Sequence, residues 1–462
     1  IHDSSVPDMR KPTQTRSGKT PENAPGGAGD VPRLAIACQG GGAHTAFTAG
    51  VLAYLFLSFE HFRTIGEEDQ WFKLMGLSGT SGGAITAAMA WSEAPDDSWA
   101  EGARRVLRYW NRNKASLETA GKQPIWWGEY FTNATIQWGM SLQRWLPEVN
   151  FPPSGLASAL IQGRMKDDMR AVVGLPDQAD RFFGREGVDL FVGAVDIVNP
   201  GGEPQTAFRT FPDQPAFGLR LDELLASACI PELFMATPVS LQEDVGSGRG
   251  PRVFWDGLYS QNPPINDFFD GRGRDCKPDL LWVVQINPNR YEGADAGPQN
   301  PEEQADRRNE LAGNLSLGQE LRSIDRINLI ADELSGLPKL PERLAAYKSV
   351  TVSFIALDTP KTGPLSRYRL NHASKLNRDP AFIDALIAEG IRAAHEAAKG
   401  HALVRPHRCM KQTCKIYPNP DWPSPASLAG LLEDAELARQ WRRLVASLPP
   451  SQHHQDPIEE VT

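Results

Sequence analysis

The sequence lacks any long apolar run and contains little cysteine. Its longest apolar stretch, residues 51–59, is far too short to cross a bilayer. The 462 residues include 5 cysteines, an odd number spread widely along the chain. This pattern excludes a disulfide framework and indicates a reducing compartment. At Cys409 and Cys414 we expect unpaired thiols, the alternatives being a local disulfide or a metal contact.

Residues 1–31 lack the apolar segment that a signal peptide carries. They are polar and rich in proline, glycine and charge, so we expect a disordered tail there and a second one over residues 449–462. The chain also lacks a long cluster of lysine or arginine, and its formal net charge is −9. The charge argues against nucleic acid as a partner and gives no attraction to anionic lipid. We expect a cytoplasmic protein of bacterial type, while secretion without a visible signal peptide stays open.

The rest of the chain alternates between short apolar strands and helices. Residues 34–38 form an apolar run typical of buried parallel strands, a glycine-rich turn follows, and residues 44–59 carry apolar side chains at helical spacing. The same order of strand, turn and helix recurs over residues 73–77, 78–83 and 84–91. This alternation predicts an α/β fold with a mostly parallel central sheet.

Later segments continue the pattern. We predict strands over residues 189–198, 253–255, 279–286 and 349–357, and helices over residues 220–229, 302–335 and 380–399. We therefore divide the chain into a catalytic domain, residues 32–290, and a C-terminal α/β continuation of the same domain, residues 291–448.

A helical insertion rich in tryptophan interrupts the catalytic domain at about residues 93–185. Seven of the 12 tryptophans lie in it or just before it: Trp91, Trp99, Trp110, Trp126, Trp127, Trp138 and Trp145. Indole rings offer a large apolar area, so some of them could line an acyl pocket. The alternative is that they pack the insertion onto the sheet.

Ser81 lies in the turn GTSGG, residues 79–83, between a predicted strand and a predicted helix. A Gly-x-Ser-x-Gly turn in this setting is a nucleophile elbow, which exposes the serine hydroxyl at the carboxyl edge of the sheet. The flanking glycines avoid collisions with the neighbouring strand and helix. The amide of Gly82 and the helix N-terminus then lie beside the reacting carbonyl group. The pattern predicts a serine nucleophile.

Gly40, Gly41 and Gly42 form a second glycine-rich turn between a strand and a helix. Converging N–H groups in such a loop bind an anion, and acyl transfer develops an oxyanion. Phosphate binding is the rival interpretation. The Gly-Lys-Ser/Thr sequence of a P-loop is lacking, and the dinucleotide pattern fails at Thr45. We therefore predict an oxyanion loop, and we expect neither a cofactor nor a metal.

Asp256 and Gly257 follow the apolar run 253–255, at the end of a predicted strand. A carboxylate at this place could reach over the sheet edge and act as the general base for Ser81. On its own the signal is weak, because Asp-Gly is a common turn.

Taken in order, these three elements resemble the patatin-like phospholipase family, with its oxyanion loop, its Gly-x-Ser-x-Gly turn and its Asp-Gly-Gly/Ala motif well downstream. A fourth match is ASACIP, residues 226–231, which is similar to the Ala-Ser-x-Ala-x-Pro stretch of bacterial members. The resemblance covers residues 33–290. It implies a three-layer α/β fold and a lipid acyl hydrolase that cleaves carboxylic esters through a Ser81–Asp256 dyad and an acyl-enzyme.

The same resemblance implies that the amides of Gly41, Gly42 and Gly82 stabilise the tetrahedral oxyanion. It also implies a lipid or ester substrate, which would be reached by transient contact with a membrane or lipid-droplet surface. Phospholipid, neutral lipid and small soluble esters all stay open as substrates.

Two positions depart from the family pattern. His44 and Thr45 stand where the loop usually has Arg or Lys followed by Gly, so that a group titrating near neutral pH replaces a permanent cation. Leu258 replaces a small residue after Asp-Gly, and we expect it to reshape the pocket mouth. Neither change removes a predicted catalytic atom, so His44 is an auxiliary candidate in the oxyanion loop.

Two other hypotheses stay open. An α/β-hydrolase would use a triad of Ser81, Asp256 and His372, which satisfies the chain order of that fold. His372 lies outside any clear strand-end turn, which favours a surface position for it. The other hypothesis is a non-catalytic binding protein that keeps the fold, since the altered loop at His44 leaves room for it.

Overall fold

The structure is a computed structural model of the chain. It describes residues 31–68, 71–115, 155–198, 208–212, 215–231, 234–244, 246, 248–288, 297–337, 341–358, 362–400 and 421–449. The two predicted tails, apart from residues 31 and 449, lie outside the described residues, as do Cys409, Cys414 and the tryptophans between residues 116 and 154. The cysteines within the described residues, Cys38, Cys229 and Cys276, are free thiols.

A mixed sheet of eight strands forms the centre of the molecule. The strands of the described chain are β1 (Arg33–Cys38), β2 (Lys73–Thr80), β3 (Arg181–Phe182), β4 (Asp189–Val198), β5 (Phe208–Phe211), β6 (Leu219–Arg220), β7 (Thr237–Val239), β8 (Arg252–Asp256), β9 (Leu280–Gln285) and β10 (Thr351–Ala356). The sheet order is β10-β9-β1-β2-β4-β8-β7, and β5 also pairs with β4. All pairs from β10 to β4 are parallel, whereas β5, β7 and β8 run antiparallel to their partners.

Helices cover both faces of this sheet. They are α1 (Ala46–Thr64), α2 (Gly82–Trp91), α3 (Trp99–Asn113), α4 (Gly155–Val173), α5 (Leu221–Ala228), α6 (Pro301–Ser335), α7 (Glu342–Ala345), α8 (Pro380–Ala398) and α9 (Ala435–Ala446). Short 3-10 helices lie between them, among them Gly42–Thr45, Gly257–Tyr259, Ala373–Leu376 and Pro425–Leu432.

Side chains of β1 alternate between the two faces, as the period of a strand requires. Leu34 and Ile36 join one apolar cluster with α1, α2, α3 and α8. Ala35 and Ala37 join a second cluster, to which α6 contributes Leu317 and other residues. The sheet is therefore buried on both faces, which explains why its strands read as continuous apolar runs.

The predicted fold class is confirmed: a mostly parallel sheet lies between helical layers. The prediction for 189–198 matches β4, and the other predicted elements match within a few residues. The direction of β8 could not be read from the sequence, because an apolar run gives a strand but not its orientation. The short strands β3, β5, β6 and β7, the short helix α7 and the helices after residue 421 were not predicted.

The tryptophans of the insertion that the structure describes pack the fold rather than line the predicted acyl pocket. Trp91 donates its indole N–H to Val188 O at 2.7 Å, and Trp110 donates to Thr86 Oγ1 at 3.1 Å. Trp99 lies edge-on to Phe56, with ring centroids 5.4 Å apart. The pocket-lining prediction is thus wrong for Trp91, Trp99 and Trp110, which belong to α2 and α3 and pack in or against the main core.

One helical stretch, Gly42–Thr64, has the length and composition to cross a membrane. Its apolar window is 94% buried inside the protein. The helix α1 packs between the sheet, α3 and α8, so it is surrounded by protein on all sides. This position explains why its side chains are apolar around the whole circumference.

Candidate active site

Ser81 lies between β2 and α2 with an unusual backbone. Its φ of 57° falls in the left-handed region, which residues other than glycine rarely adopt. A Cβ at Gly79 would lie 2.6 Å from Ala84 N, and one at Gly83 would lie 2.5 Å from Cys38 O. Only glycine fits at these two places, so the turn has the geometry of a nucleophile elbow.

Ser227, near the end of α5, holds this turn in place. The Ser81 N–H donates to Ser227 Oγ at 3.0 Å, and the Ser227 hydroxyl donates to Gly193 O at 2.7 Å. One buried hydroxyl therefore joins the serine turn to β4. Ser227 belongs to the ASACIP segment, residues 226–231, so this segment contributes the hydrogen bonds that hold the serine turn. The sequence pattern alone does not reveal these hydrogen bonds.

The oxyanion loop leads from β1 into the 3-10 helix Gly42–Thr45. Gly40 donates its N–H to Asn262 Oδ1 at 2.7 Å, so this amide already has a partner within the protein. Gly42 has a φ of 55°, which favours glycine. Gly40 therefore serves to fix the loop, while the amides of Gly41 and Gly42 remain the candidate oxyanion donors.

The side chain of Gln39 ties the start of the loop to two other elements. Its Oε1 accepts the N–H groups of Ile286 and Asn287, each at 2.8 Å, just after β9. Its Nε2 donates to Gly313 O at 3.2 Å and to Asn314 Oδ1 at 3.0 Å, both on α6. The start of the loop is thus tied both to the end of β9 and to α6.

Asp256 ends β8 and is fully buried. Its N–H donates to Cys229 O at 3.1 Å, and its Oδ1 accepts the Leu258 N–H at 2.8 Å. A Cβ at Gly257 would lie 2.4 Å from Gly193 O, which explains the glycine after the aspartate. The backbone of Asp256 is thus tied to Cys229, and its carboxylate is oriented by the N–H of Leu258.

An open pocket brings the predicted residues together. Its lining comprises Gly40, Gly41, Gly42, Ser81, Ile230, Asp256, Leu258, Asn309, His372, Lys375 and Leu376. The predicted nucleophile, base and oxyanion loop share this one cavity. Leu258 also lies in its wall, as expected from its departure from the family motif. Gly82 is the first residue of α2 and directly follows Ser81.

His44 does not line this pocket. Its Nε2 lies 2.7 Å from Ser374 Oγ, and its ring lies edge-on to Phe382. Burial lowers the pKa of His44 well below its ordinary value, and the charges of Lys375 and His372 lower it further. The imidazole is therefore neutral at neutral pH, which corrects the expectation that His44 titrates there.

Besides Asp256 and Leu258, four residues from the C-terminal half line the pocket: Asn309, His372, Lys375 and Leu376. Of these, the sequence analysis considered only His372 for the site, in the alternative triad. His372 was expected at the surface, but it is half-buried in the pocket wall. Lys375 follows it on the 3-10 helix Ala373–Leu376, and Asn309 comes from α6. No sequence motif marks these positions, because only the packing of α6 and this short helix against the loop brings them to the site.

Metal ligands are not grouped anywhere in the part of the chain that the structure describes. No set of three His, Cys, Asp or Glu side chains comes together there in a way that could hold an ion. The polar groups that line the pocket are a hydroxyl, a carboxylate, backbone amides, the Asn309 amide, the His372 imidazole and the Lys375 ammonium group.

The fold is a mostly parallel α/β sheet between helical layers, and its pocket brings together a serine turn, a buried aspartate and a glycine-rich loop. A model of the Patatin-like phospholipase family matches residues 36–269, which contain Ser81, Asp256 and the loop. The chain belongs to this family, and its membership implies lipid acyl hydrolase activity.

Two further comparisons add little. The search of curated protein sequences finds no match. The crystal structure of VipD from Legionella pneumophila is similar at 12% sequence identity and a TM-score of 0.29, over 79% of this chain and 67% of that chain. This similarity is weak.

Proposed function

We propose that the protein cleaves carboxylic esters of lipids through a dyad of Ser81 and Asp256. The observation that carries the proposal is that a serine with a left-handed backbone and a fully buried aspartate line one pocket beside a glycine-rich loop. Structural serines seldom occupy such a conformation, since it costs about 1–3 kcal/mol and persists mainly at functional sites.

The first half-reaction forms an acyl-enzyme. Ser81 Oγ attacks the ester carbonyl carbon while its proton passes to the Asp256 carboxylate. The carbonyl π electrons move to oxygen, and the amides of Gly41, Gly42 and Gly82 stabilise the negative charge. When the intermediate collapses, the C–O bond to the alcohol breaks, and the leaving oxygen takes the proton from Asp256.

The second half-reaction regenerates the enzyme. Water loses a proton to Asp256 and attacks the acyl carbon, so that a second oxyanion forms in the same place. Ser81 Oγ then leaves and recovers its proton from Asp256, and the fatty acid is released. Apolar side chains of Ile230, Leu258 and Leu376 in the pocket wall suit an acyl chain.

A triad is the second candidate mechanism, because His372 lines the same pocket. In that case His372 would take the proton from Ser81, and Asp256 would orient the imidazole. The dyad is the better supported of the two, since Asp256 belongs to the matched family region and His372 lies beyond it.

Steady-state hydrolysis of p-nitrophenyl esters separates these mechanisms. We expect Ser81→Ala and Asp256→Asn to lower kcat by about 10³-fold or more, and His372→Ala to keep kcat within about 10-fold of the wild type. Asp168→Asn is a matched control, because Asp168 is also a buried aspartate but pairs with Arg112 away from the pocket. Loss of activity in His372→Ala together with activity in Asp256→Asn would contradict the dyad.

A panel of esters with increasing acyl length, tested beside a phospholipid vesicle, examines the substrate class. The apolar wall predicts a higher kcat/KM for medium or long chains than for acetate, because each buried methylene adds about 0.8 kcal/mol of binding. Ser81→Ala gives the background rate. Best activity on acetate would contradict a lipid substrate.

A further inference from the structure

Lys375 places an ammonium group at the edge of the active-site pocket. It is half-buried and lines the cavity with Ser81 and Asp256. Its Nζ donates to Asn287 Oδ1 at 2.5 Å and to Asn309 Oδ1. Both hydrogen-bond acceptors are neutral amide oxygens, and nearby carboxylates on α6 favour the charged form of the lysine. The ammonium group therefore keeps its charge beside the pocket at neutral pH.

The same residue packs directly on the oxyanion loop. A Cβ at Gly42 would lie 2.4 Å from Lys375 O and 3.4 Å from Lys375 Cβ. At the other end of the side chain, Asn287 is bound through its N–H to Gln39 Oε1, next to the loop. Both the backbone and the ammonium of Lys375 are therefore joined to the segment that supplies the oxyanion amides.

Other charges near the loop do not supply a fixed cation. Among the described residues that line the pocket, Lys375 is the single lysine or arginine. His44, the loop's own basic residue, is buried and neutral and is hydrogen-bonded to Ser374. Lys375 thus provides a positive charge beside the pocket that no residue of the loop itself provides.

We propose that Lys375 is a positioning residue that fixes Gly42 and supplies the positive charge under which the oxyanion forms. The proposal rests on the proposed Ser81 chemistry. A preorganised cation close to a developing negative charge stabilises the transition state more than the neutral ester, so its effect falls on kcat. The charge acts on the reacting carbonyl group and not on a head group, so it acts on every ester substrate.

Substitution of Lys375 tests this with two substrates, a neutral p-nitrophenyl ester and a phosphatidylcholine vesicle. We expect Lys375→Met to lower kcat about 10- to 100-fold on both substrates, with KM changed by less than about 3-fold. Lys375→Arg keeps the charge and should recover a large part of the activity. Lys114→Met is the matched control, because Lys114 also donates to an asparagine side chain but lies away from the pocket.

The pH profile gives a readout that a purely structural role would not change. Loss of hydration lowers the pKa of Lys375 to about 8, while Glu310 and Asp306 on α6 oppose the shift. The other titratable groups facing it are His44 and His372 beside the loop and Asp256 in the pocket. We expect the wild-type kcat to fall above pH 8 as the ammonium loses its proton, and the kcat of Lys375→Arg to stay level there.

Several outcomes would overturn the proposal. A loss confined to the phospholipid would assign Lys375 to head-group binding, and an unchanged kcat in Lys375→Met would remove its role. If kcat fell equally above pH 8 in the wild type and in Lys375→Arg, the charge of Lys375 would have no role in catalysis. This comparison can be made even if Lys375→Met fails to fold. Failure of the Ser81 mechanism is distinguishable, because Ser81→Ala would then retain wild-type activity whatever Lys375 does.

Discussion

At the scale of single residues, the position of Ser81, the proposed nucleophile, depends on a hydroxyl from another element. Ser227 accepts the N–H of Ser81 and donates to Gly193 O, so it connects the elbow with β4. The Ser81 amide is buried, and a buried donor without a partner costs about 1–3 kcal/mol. Without the Ser227 hydroxyl, the turn would rearrange so that the Ser81 amide finds another partner. This rearrangement would move the hydroxyl of Ser81 away from the substrate.

Ser227→Ala should therefore lower kcat by about 10-fold or more, because small displacements of a nucleophile reduce rate strongly. The measurement is kcat on a p-nitrophenyl ester, with thermal unfolding recorded beside it. Ser58→Ala is the control, since Ser58 is equally buried but donates within α1 to Tyr54 O. Equal kcat values for the two variants would refute a positioning role for Ser227.

His44 makes the stability of the protein depend on pH. Its pKa in the folded state lies below the ordinary value of 6.5, so the unfolded chain binds a proton more readily. The free energy of unfolding is therefore fully maintained above pH 6.5 and decreases as the pH falls below it, by up to about 1.4 kcal/mol per pH unit.

His44→Gln removes this contribution and keeps an N–H donor for Ser374. We expect the wild type to lose more stability than the variant between pH 7.5 and 5.5, as measured by urea denaturation at each pH. Identical losses in both proteins would mean that folding does not lower the pKa of His44.

At the scale of elements, α1 and α8 cross at a point where their backbones touch. A Cβ at Gly50 would lie 2.0 Å from Ile387 O, and one at Gly390 would lie 2.0 Å from Phe47 O. The crossing permits only glycine on either helix. This contact brings α8 against the helix that follows the oxyanion loop, and the 3-10 helix with Lys375 precedes α8 in the chain.

Gly50→Ala should separate the two helices and destabilise the protein by about 1–3 kcal/mol. Thermal unfolding measures the loss. The control is Gly163→Ala on α4, where a Cβ meets nothing within 4 Å. Alanine there should raise stability by about 0.5–1 kcal/mol, because it favours the helix. A midpoint for Gly50→Ala at or above the wild-type value would contradict the close crossing.

Elements were the part of the structure that the sequence predicted best. Buried strands and long amphipathic or apolar helices leave a strong periodic pattern, and β4, α6 and α8 match their predicted ranges closely. The direction of a strand leaves no such pattern in the sequence, so β8 was recognised as a strand but not as an antiparallel one. The tryptophans of α2 and α3 show the same limit, since composition alone does not say which side of an element meets the core.

At the scale of the whole molecule, the site is assembled from segments far apart in the chain. Motifs identified Ser81, Asp256 and the glycine loop, because local turn chemistry dictates those residue types. Tertiary packing alone brings His372, Lys375 and Asn309 to the pocket. No local sequence pattern indicates this packing. The sequence therefore indicated the residues that we propose as the reacting groups, but not the charged and polar side chains around them.

The central claim is that Ser81 is a nucleophile activated within the folded protein. Mass spectrometry after treatment with a fluorophosphonate tests it most directly, since this reagent modifies activated serines. We predict one adduct, on Ser81, that is lost in Ser81→Ala, strongly slowed in Asp256→Asn and missing from heat-unfolded wild type. Folded protein that carries no adduct on Ser81, or an adduct that persists in Ser81→Ala, would contradict the account.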